Sequence, residues 1–127
     1  MQIESKIYVA GGRGMVGRAV VRLLRARGYE NLVLPTRDEL DLREAHATRE
    51  FFAREKPEYV FLCAAKVGGI AANSAHPADF LFQNLAISGN VIGAAHEFGA
   101  RKLLNLGSSC IYPRLAPQPI SESALLT

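Results

Sequence analysis

The apolar segment KIYVA (Lys6 to Ala10) runs straight into GGRGMVG (Gly11 to Gly17), and a helical pattern opens at once from Met15. This junction constrains the fold more than any other stretch of the chain. Gly11, Gly14 and Gly17 follow a G-x-x-G-x-x-G spacing. In a strand–turn–helix the first glycine permits the tight turn and the second lets the backbone approach a diphosphate. The third lets the helix pack close against the strand. Amides at the helix N-terminus then face the phosphates, where the peptide dipoles favour negative charge. Gly11, Gly12, Arg13, Gly14, Met15, Val16 and Gly17 are therefore candidate cofactor-binding residues. A glycine triplet alone is a weak signal, but between a strand and a helix near the start of the chain it has the context the motif requires.

The rest of the chain repeats this alternation. Val16, Val20, Leu23 and Leu24 lie at helical spacing between Met15 and Arg27, and Gly28 supplies the stop. Asn31 to Leu34 is a second short strand closed by Pro35. Asp41 with Glu44 matches a capping box, which predicts a helix from about Leu42 to Glu55 with Pro57 beyond it. Tyr59 to Ala65 (YVFLCAA) is a continuous apolar run of the type buried on both faces of a parallel sheet. A loop rich in glycine and alanine follows. A long helix is then predicted from about Pro77 to Phe98, with Phe80, Ile87, Val91 and Ala95 on one face. Lys102 to Ser109 reads as the fourth strand and its exit, and the proline-rich tail from Cys110 to Thr127 as irregular. Strands alternating with helices imply right-handed crossovers and a parallel sheet. The expected fold is an incomplete, parallel doubly wound (Rossmann) α/β sheet with strands in the order 3-2-1-4 and helices on both faces. The fourth strand would leave an apolar, unpaired edge, as though part of the sheet lay outside this chain.

Composition narrows the function classes. A chain of 127 residues, 49% hydrophobic and 21% charged, is one ordinary globular domain at most. A net charge of +3 without a basic run gives no case for a nucleic-acid partner. No stretch approaches the ~18 apolar residues of a membrane span, and MQIESKIYVA lacks the apolar core of a secretory signal. Two cysteines, Cys63 and Cys110, cannot form a multi-bridge framework, so reduced thiols and a cytoplasmic location are expected. No metal site is expected.

The end of the second strand bears on which dinucleotide is bound. An NAD site places an Asp or Glu there, about 20 residues past the glycines, to bind the ribose 2′-hydroxyl. Here Thr36-Arg37 stands instead, with Arg13 inside the glycine loop. Two guanidinium groups suit a 2′-phosphate, through charge-assisted contacts of about 1.5–3 kcal/mol each. NADP is expected over NAD, with Asp38 and Glu39 as acidic neighbours of Arg37. Ala64 and Ala65 end the third strand, and their small side chains either leave room for the cofactor's sugar–phosphate or serve helix–sheet packing. Lys66 lies within reach of a phosphate or ribose. LGSSCIYP (Leu106 to Pro113) leaves the sheet at the same carboxyl edge as the glycine loop. Ser108 and Cys110, a hydroxyl and a thiol two residues apart, form a candidate reacting pair. A thiol, whose ordinary pKa is about 8.5, can be tuned toward acid–base work near neutrality. The bland reading of such a cysteine is a small hydrophobe.

Taken together, GGRGMVG, TRDELDL, AAKVGGI, the NSAHPADF region and LGSSCIYP resemble the N-terminal part of the GDP-L-fucose synthase family, and the likeness runs through essentially the whole chain. These are bifunctional 3,5-epimerase/4-reductases of the extended short-chain dehydrogenase/reductase group. The resemblance implies conversion of GDP-4-keto-6-deoxy-D-mannose to GDP-L-fucose with NADPH, in a homodimer. It makes Cys110 an acid–base group at C3 and C5, where the C4 ketone acidifies the protons. Ser108 would hydrogen-bond the oxyanion forming at C4, a contact of the kind whose removal costs ~100- to 1000-fold. On the cofactor side it places Arg37, Asp41, Leu42, Ala64, Ala65, Lys66, Leu106, Gly107, Ser108 and Ser109. The family's proton donor is a tyrosine followed four residues later by a lysine. Here Tyr8 is followed by Gly12, Tyr29 by Val33, Tyr59 by Cys63 and Tyr112 by Ala116. His46, His76 and His96 do not match the family's partner histidine and read as surface residues. The chain is accordingly expected to be the N-terminal part of an NADP-binding domain, inactive alone. A non-catalytic dinucleotide-binding module and a related epimerase or dehydratase are the alternatives, and Cys110 argues against a dehydratase.

Overall fold

In the computed structural model, which describes residues 1–125, the most deeply buried strand is β1 (Ile7–Ala10), all four of whose residues are enclosed. Its neighbours are β2 (Leu32–Val33) and β3 (Tyr59–Leu62), and β4 (Lys102–Asn105) adds to the far side of β3. All pairings are parallel, with Ile7 opposite both Leu32 and Tyr59, and Leu62 opposite Asn105. The helices are α1 (Met15–Ala26), α2 (Ala45–Glu55), α3 (Ile70–Ala75) and α4 (Pro77–Glu97). Short 3-10 turns at Ser109–Ile111 and Glu122–Ala124 punctuate an otherwise irregular tail. The end of the tail expected to be irregular, Leu126 and Thr127, lies outside the described residues.

A period of two along each strand divides the core into two layers. Ile7 and Val9 face α1, where Val21 and Leu24 cover them. Tyr8, Ala10, Val60 and Leu62 face the opposite way, toward Phe51 and Phe52 of α2 and toward Ile87, Val91 and Ala95 of α4. The rings of Phe51 and Phe52 lie 4.8 and 5.6 Å from that of Tyr8, in tilted and edge-on contacts. Helices thus cover both faces of a parallel sheet, as expected.

The strand order corrects the expectation of 3-2-1-4: it is β2-β1-β3-β4. The third strand, expected outside β2, forms but pairs with β1, and the chain after β2 makes turns between Arg37 and Arg43. Thr36 and Glu39 tie that segment to itself, with Thr36 N–H donating to Glu39 Oε2 (2.7 Å) and Glu39 N–H to Thr36 Oγ1 (3.2 Å). The phenylalanines of α2 then dock on β1, so the next strand lands on the vacant edge of β1 instead of beside β2.

Three local readings also change. The Asp41–Glu44 capping box does not form; α2 starts at Ala45 with Glu44 as an N-cap that makes no side-chain bond, because Arg43 takes the Asp41 carboxylate. The reciprocal pair forms instead at Thr36 and Glu39. The buried face of α1 runs through Gly17, Val21 and Leu24, leaving Val16 and Leu23 46% and 51% exposed. Gly17 must be innermost because nothing larger fits where it sits. The glycine–alanine loop after β3 contains the short helix α3, all of whose residues are exposed.

Thr48 of α2 is completely buried, and its hydroxyl has no hydrogen-bond partner. An unpaired buried hydroxyl costs about 1–3 kcal/mol in desolvation. Thr48→Val removes that hydroxyl at nearly constant shape, and is expected to raise unfolding free energy by about 1 kcal/mol in urea titrations; a loss of stability would show the hydroxyl to be satisfied.

Candidate dinucleotide-binding cleft

The chain moves from β1 to β2 in one direction across the sheet and from β3 to β4 in the other. In open α/β sheets ligands bind outside the carboxyl ends of the strands at such a reversal. A cleft of about 750 Å³ occupies this place, between the exits of β1 and β3.

One wall is the glycine loop. Gly11 holds φ at +75°, and a Cβ there would lie 2.9 Å from Ala64 Cα. A Cβ on Gly17 would lie 2.0 Å from the Gly11 carbonyl oxygen, and one on Gly14 only 3.3 Å from the same atom. The loop, the first turn of α1 and the exit of β3 therefore approach as closely as backbones can. Met15, Val16 and Gly17 open the helix, where no carbonyl four residues back belongs to it, so their amides are free to bind an anion. Gly14 caps α1 without a side chain, and its carbonyl accepts the first helical bond from Arg18 (2.9 Å).

The segment after β2 and the exit of β3 complete the lining. Arg13 and Arg37 both border the cleft and are exposed. Glu39 is turned away into its bonds with Thr36, which, with the nearby Arg13, hold its carboxyl below the usual range. Asp41 lies on the cleft with both carboxylate oxygens on the Arg43 guanidinium, through Nε (2.9 and 3.1 Å) and through NH2. That bond lowers its pKa to about 2. Leu42 is buried and, with Leu40, Ala64 and Ala65, forms apolar wall. Lys66 borders the cleft with its ammonium 5.1 Å from the centre of the Phe80 ring. Burial raises the Cys63 thiol and the Tyr8 phenol, both on the cleft, above their ordinary pKa values.

Most sequence-derived cofactor residues thus meet in one cavity: Gly11, Arg13, Gly14, Met15, Val16, Gly17, Arg37, Asp41, Leu42, Ala64, Ala65 and Lys66. Gly12 does not line it. It is buried beneath the loop, where a Cβ would meet Leu34 Cδ2 at 2.9 Å, so its service is packing. Leu106, Gly107, Ser108, Ser109 and Cys110 also stand outside the cleft wall, exposed at the exit of β4. That exit lies two strand spacings, about 10 Å, from β1 at the same edge of the sheet. The 3-10 turn there is capped by Ser108, whose Oγ accepts from Cys110 N–H (3.2 Å). His46, His76 and His96 are exposed, as expected. Among the described residues no cluster could hold a metal ion, and no helix is long and apolar enough to cross a membrane.

Sequence reading missed Arg43 and Gln83, joined by a 3.3 Å hydrogen bond across the cleft wall, and Asn90, whose amide donates to the carbonyls of Leu42 and Arg43 (2.9 and 3.1 Å). These partners are about 40 residues or more apart in sequence. No local signal in the sequence joins them.

Residues 7–127 match the family model of the NAD dependent epimerase/dehydratase family. The chain belongs to this family. Among its relatives, GDP-L-fucose synthase 1 of Arabidopsis thaliana is 61% identical over 124 residues, which are 98% of this chain and 38% of that protein. GDP-L-fucose synthase of Escherichia coli (strain K12) is 55% identical over 97% of this chain and 38% of its own length. The solved structure of a GDP-mannoheptose C4 reductase from Campylobacter jejuni with NADP bound superposes with a TM-score of 0.94 at 48% identity. It is covered over 40% of its length, against 99% of this chain. The chain therefore spans about two fifths of the length of each. The epimerase/dehydratase family match and the C. jejuni likeness both bear out the parallel doubly wound fold.

Because its folded-state pKa is depressed, Asp41 contributes stability above the usual carboxylate range near pH 4, and the contribution fades as pH falls through about 2. Asp41→Asn should therefore be less stable than the wild type at pH 6–7 and indistinguishable from it near pH 2. A gap that persists unchanged into acid would mean that the Arg43 pairing is not its source.

Proposed function

We propose that this chain is the NADP-binding N-terminal part of a cytoplasmic GDP-sugar 3,5-epimerase/4-reductase, taking GDP-4-keto-6-deoxy-D-mannose to GDP-L-fucose. The observation that carries the reading is the cleft at the sheet's reversal point. Its floor is made of backbones that no side chain could separate, and its corner holds Arg13 and Arg37 while Glu39 is turned aside. The relatives named GDP-L-fucose synthase support the substrate, and the NADP-bound C. jejuni reductase supports the cofactor.

The cavity fits the group. Amides of Met15, Val16 and Gly17 would hold the diphosphate, where a side chain at Gly14 or Gly17 would strike the Gly11 carbonyl. Arg13 and Arg37 would hold the 2′-phosphate. Leu42, Ala64 and Ala65 offer the adenosine apolar and side-chain-poor wall, with Asp41 fixed beside them by Arg43. Bound NADPH supplies the hydride that reduces C4.

The exit of β4 carries this chain's share of the proton chemistry. Cys110, exposed on its turn, exchanges a proton at C3 or C5, each acidified by the neighbouring ketone. The Ser108 oxygen already accepts the Cys110 amide, which leaves its proton to donate to the oxygen developing charge at C4. Leu106, Gly107 and Ser109 would line the approach between cofactor and sugar. The Tyr-x-x-x-Lys pair is not among these 127 residues, so turnover needs residues from outside them. The exposed apolar stripe Leu81, Phe82, Leu85 and Ile92 of α4 supports pairing of two copies as a homodimer. The two cysteines are free thiols, as a reducing cytoplasm would keep them.

Calorimetric titration of this chain is expected to show tighter binding of NADP+ than of NAD+, and Arg37→Asp to lower that preference at least about tenfold. An unchanged ratio would remove Arg37 from the 2′-phosphate site. In an enzyme carrying this chain within the full length of its relatives, Cys110→Ser should abolish deuterium uptake at C3 or C5 while reduction of a C4 ketone continues. Ser108→Ala should instead slow hydride transfer by ~100- to 1000-fold. Unimpaired exchange in the cysteine variant would exclude the thiol as the acid–base group.

A further inference from the structure

Just beyond β3 the chain loses its partners in the sheet. Cys63 N–H still donates to the Ala10 carbonyl of β1 (3.0 Å), but from Ala64 onward the backbone turns away across the end of the sheet. One side chain takes over. Lys66 N–H donates to Asn84 Oδ1 (2.8 Å), and Asn84 Nδ2 donates back to the Lys66 carbonyl (3.0 Å). A single amide in α4 thus gives Lys66 both of the bonds that a neighbouring strand would have given it.

The segment held in this way is the one that faces the glycine loop. Ala64 and Ala65 line the cleft, and Ala64 Cα lies only 2.9 Å from where a Cβ on Gly11 would sit. The same helix secures the next residues, since the Phe80 ring lies beneath the Lys66 ammonium and fills the space beside Gly68. Asn84 itself does not border the cleft. Any effect it has on a ligand must pass through the Lys66 backbone.

We infer that Asn84 is a positioning residue for the dinucleotide, fixing the 64–66 segment against the glycine loop and so setting the gap through which the cofactor's sugar–phosphate passes. The inference rests on the dinucleotide-binding reading given above. Without the amide, both polar groups of the Lys66 backbone must turn to water, because buried peptide groups seldom stay unpaired. The segment would then shift, and its fit to a bound nucleotide would fall.

Asn84→Leu tests this, because leucine has similar bulk and favours the helix, so α4 keeps its structure while both bonds are lost. The readouts are amide exchange at Lys66 in 1H–15N spectra of the nucleotide-free chain and the Kd for NADP+ by calorimetry. Expected are faster exchange at Lys66 and a Kd raised about tenfold, with the circular dichroism of the wild type and a Tm lower by only a few degrees. If the leucine variant does not fold, Asn84→Ala is read by the same measurements. A folded variant that binds NADP+ within about twofold of the wild type overturns the role of Asn84 and leaves the dinucleotide reading standing. Failure of the wild-type chain to bind NADP+ overturns both.

Discussion

The structure depends on one contact that contains no side chain. The Gly11 carbonyl sits so near Gly17 that a Cβ there would lie 2.0 Å away, and a Cβ on Gly11 would lie 2.9 Å from Ala64 at the exit of β3. These approaches set how near α1 can come to the sheet. They also turn Val21 and Leu24 inward over Ile7 and Val9, and they bring the free amides at the start of α1 to the mouth of the cleft. A side chain at Gly17 would act on packing and binding together, because the backbone held there serves both.

The direction of the chain across the sheet turns that contact into a site. β1 lies in the centre with neighbours on either side, and the chain leaves β1 toward β2 on one side and β3 toward β4 on the other, so the loops at the carboxyl ends of β1 and β3 separate rather than cover them. The packing of Phe51 and Phe52 on Tyr8 enforces this arrangement, since it carries α2 over β1 and delivers β3 to the open edge. Core packing on one face therefore decides where the cleft opens. The acids near it are held by local bonds, Glu39 by the amide and hydroxyl of Thr36 and Asp41 by Arg43, while Arg13 and Arg37 border the cleft.

What could be read in the sequence was whatever local chemistry determines. The glycine spacing, the apolar run of β3 and the long pattern of α4 each state their structure within one segment, and the residues they nominate converge on one cavity. What could not be read depended on partners far along the chain. Nothing near Asp41 shows that Arg43 would claim its carboxylate before Glu44 could complete a capping box. Spacing placed the apolar face of α1 one residue away from its true position, because it counts side chains and the decisive residue, Gly17, has none. The strand order 3-2-1-4 put the third strand, Tyr59 to Ala65, outside β2, whereas it pairs with β1, a placement that follows from the packing of α2 on Tyr8 and not from spacing. The Asn84–Lys66 pair gave no signal in the sequence, since a helical asparagine and a loop lysine 18 residues apart are unremarkable until a fold joins them.

The two ends of the proposed site differ in how firmly they are built, and the difference follows from their chemistry. The nucleotide end has to bind a fixed set of phosphates, and it is set by backbone contact, buried leucines and the Arg43 and Asn84 bonds. The Ser108–Cys110 turn, about 10 Å away across the sheet, is exposed and held locally by one 3.2 Å bond between its own residues. On the proposed chemistry, protons at C3 and C5 of a sugar have to be reached from different positions, and a thiol exposed on a turn is open to both. The Ser108 oxygen holds the Cys110 amide and so the turn that carries the thiol, so altering Ser108 would disturb that turn as well as the proposed oxyanion contact.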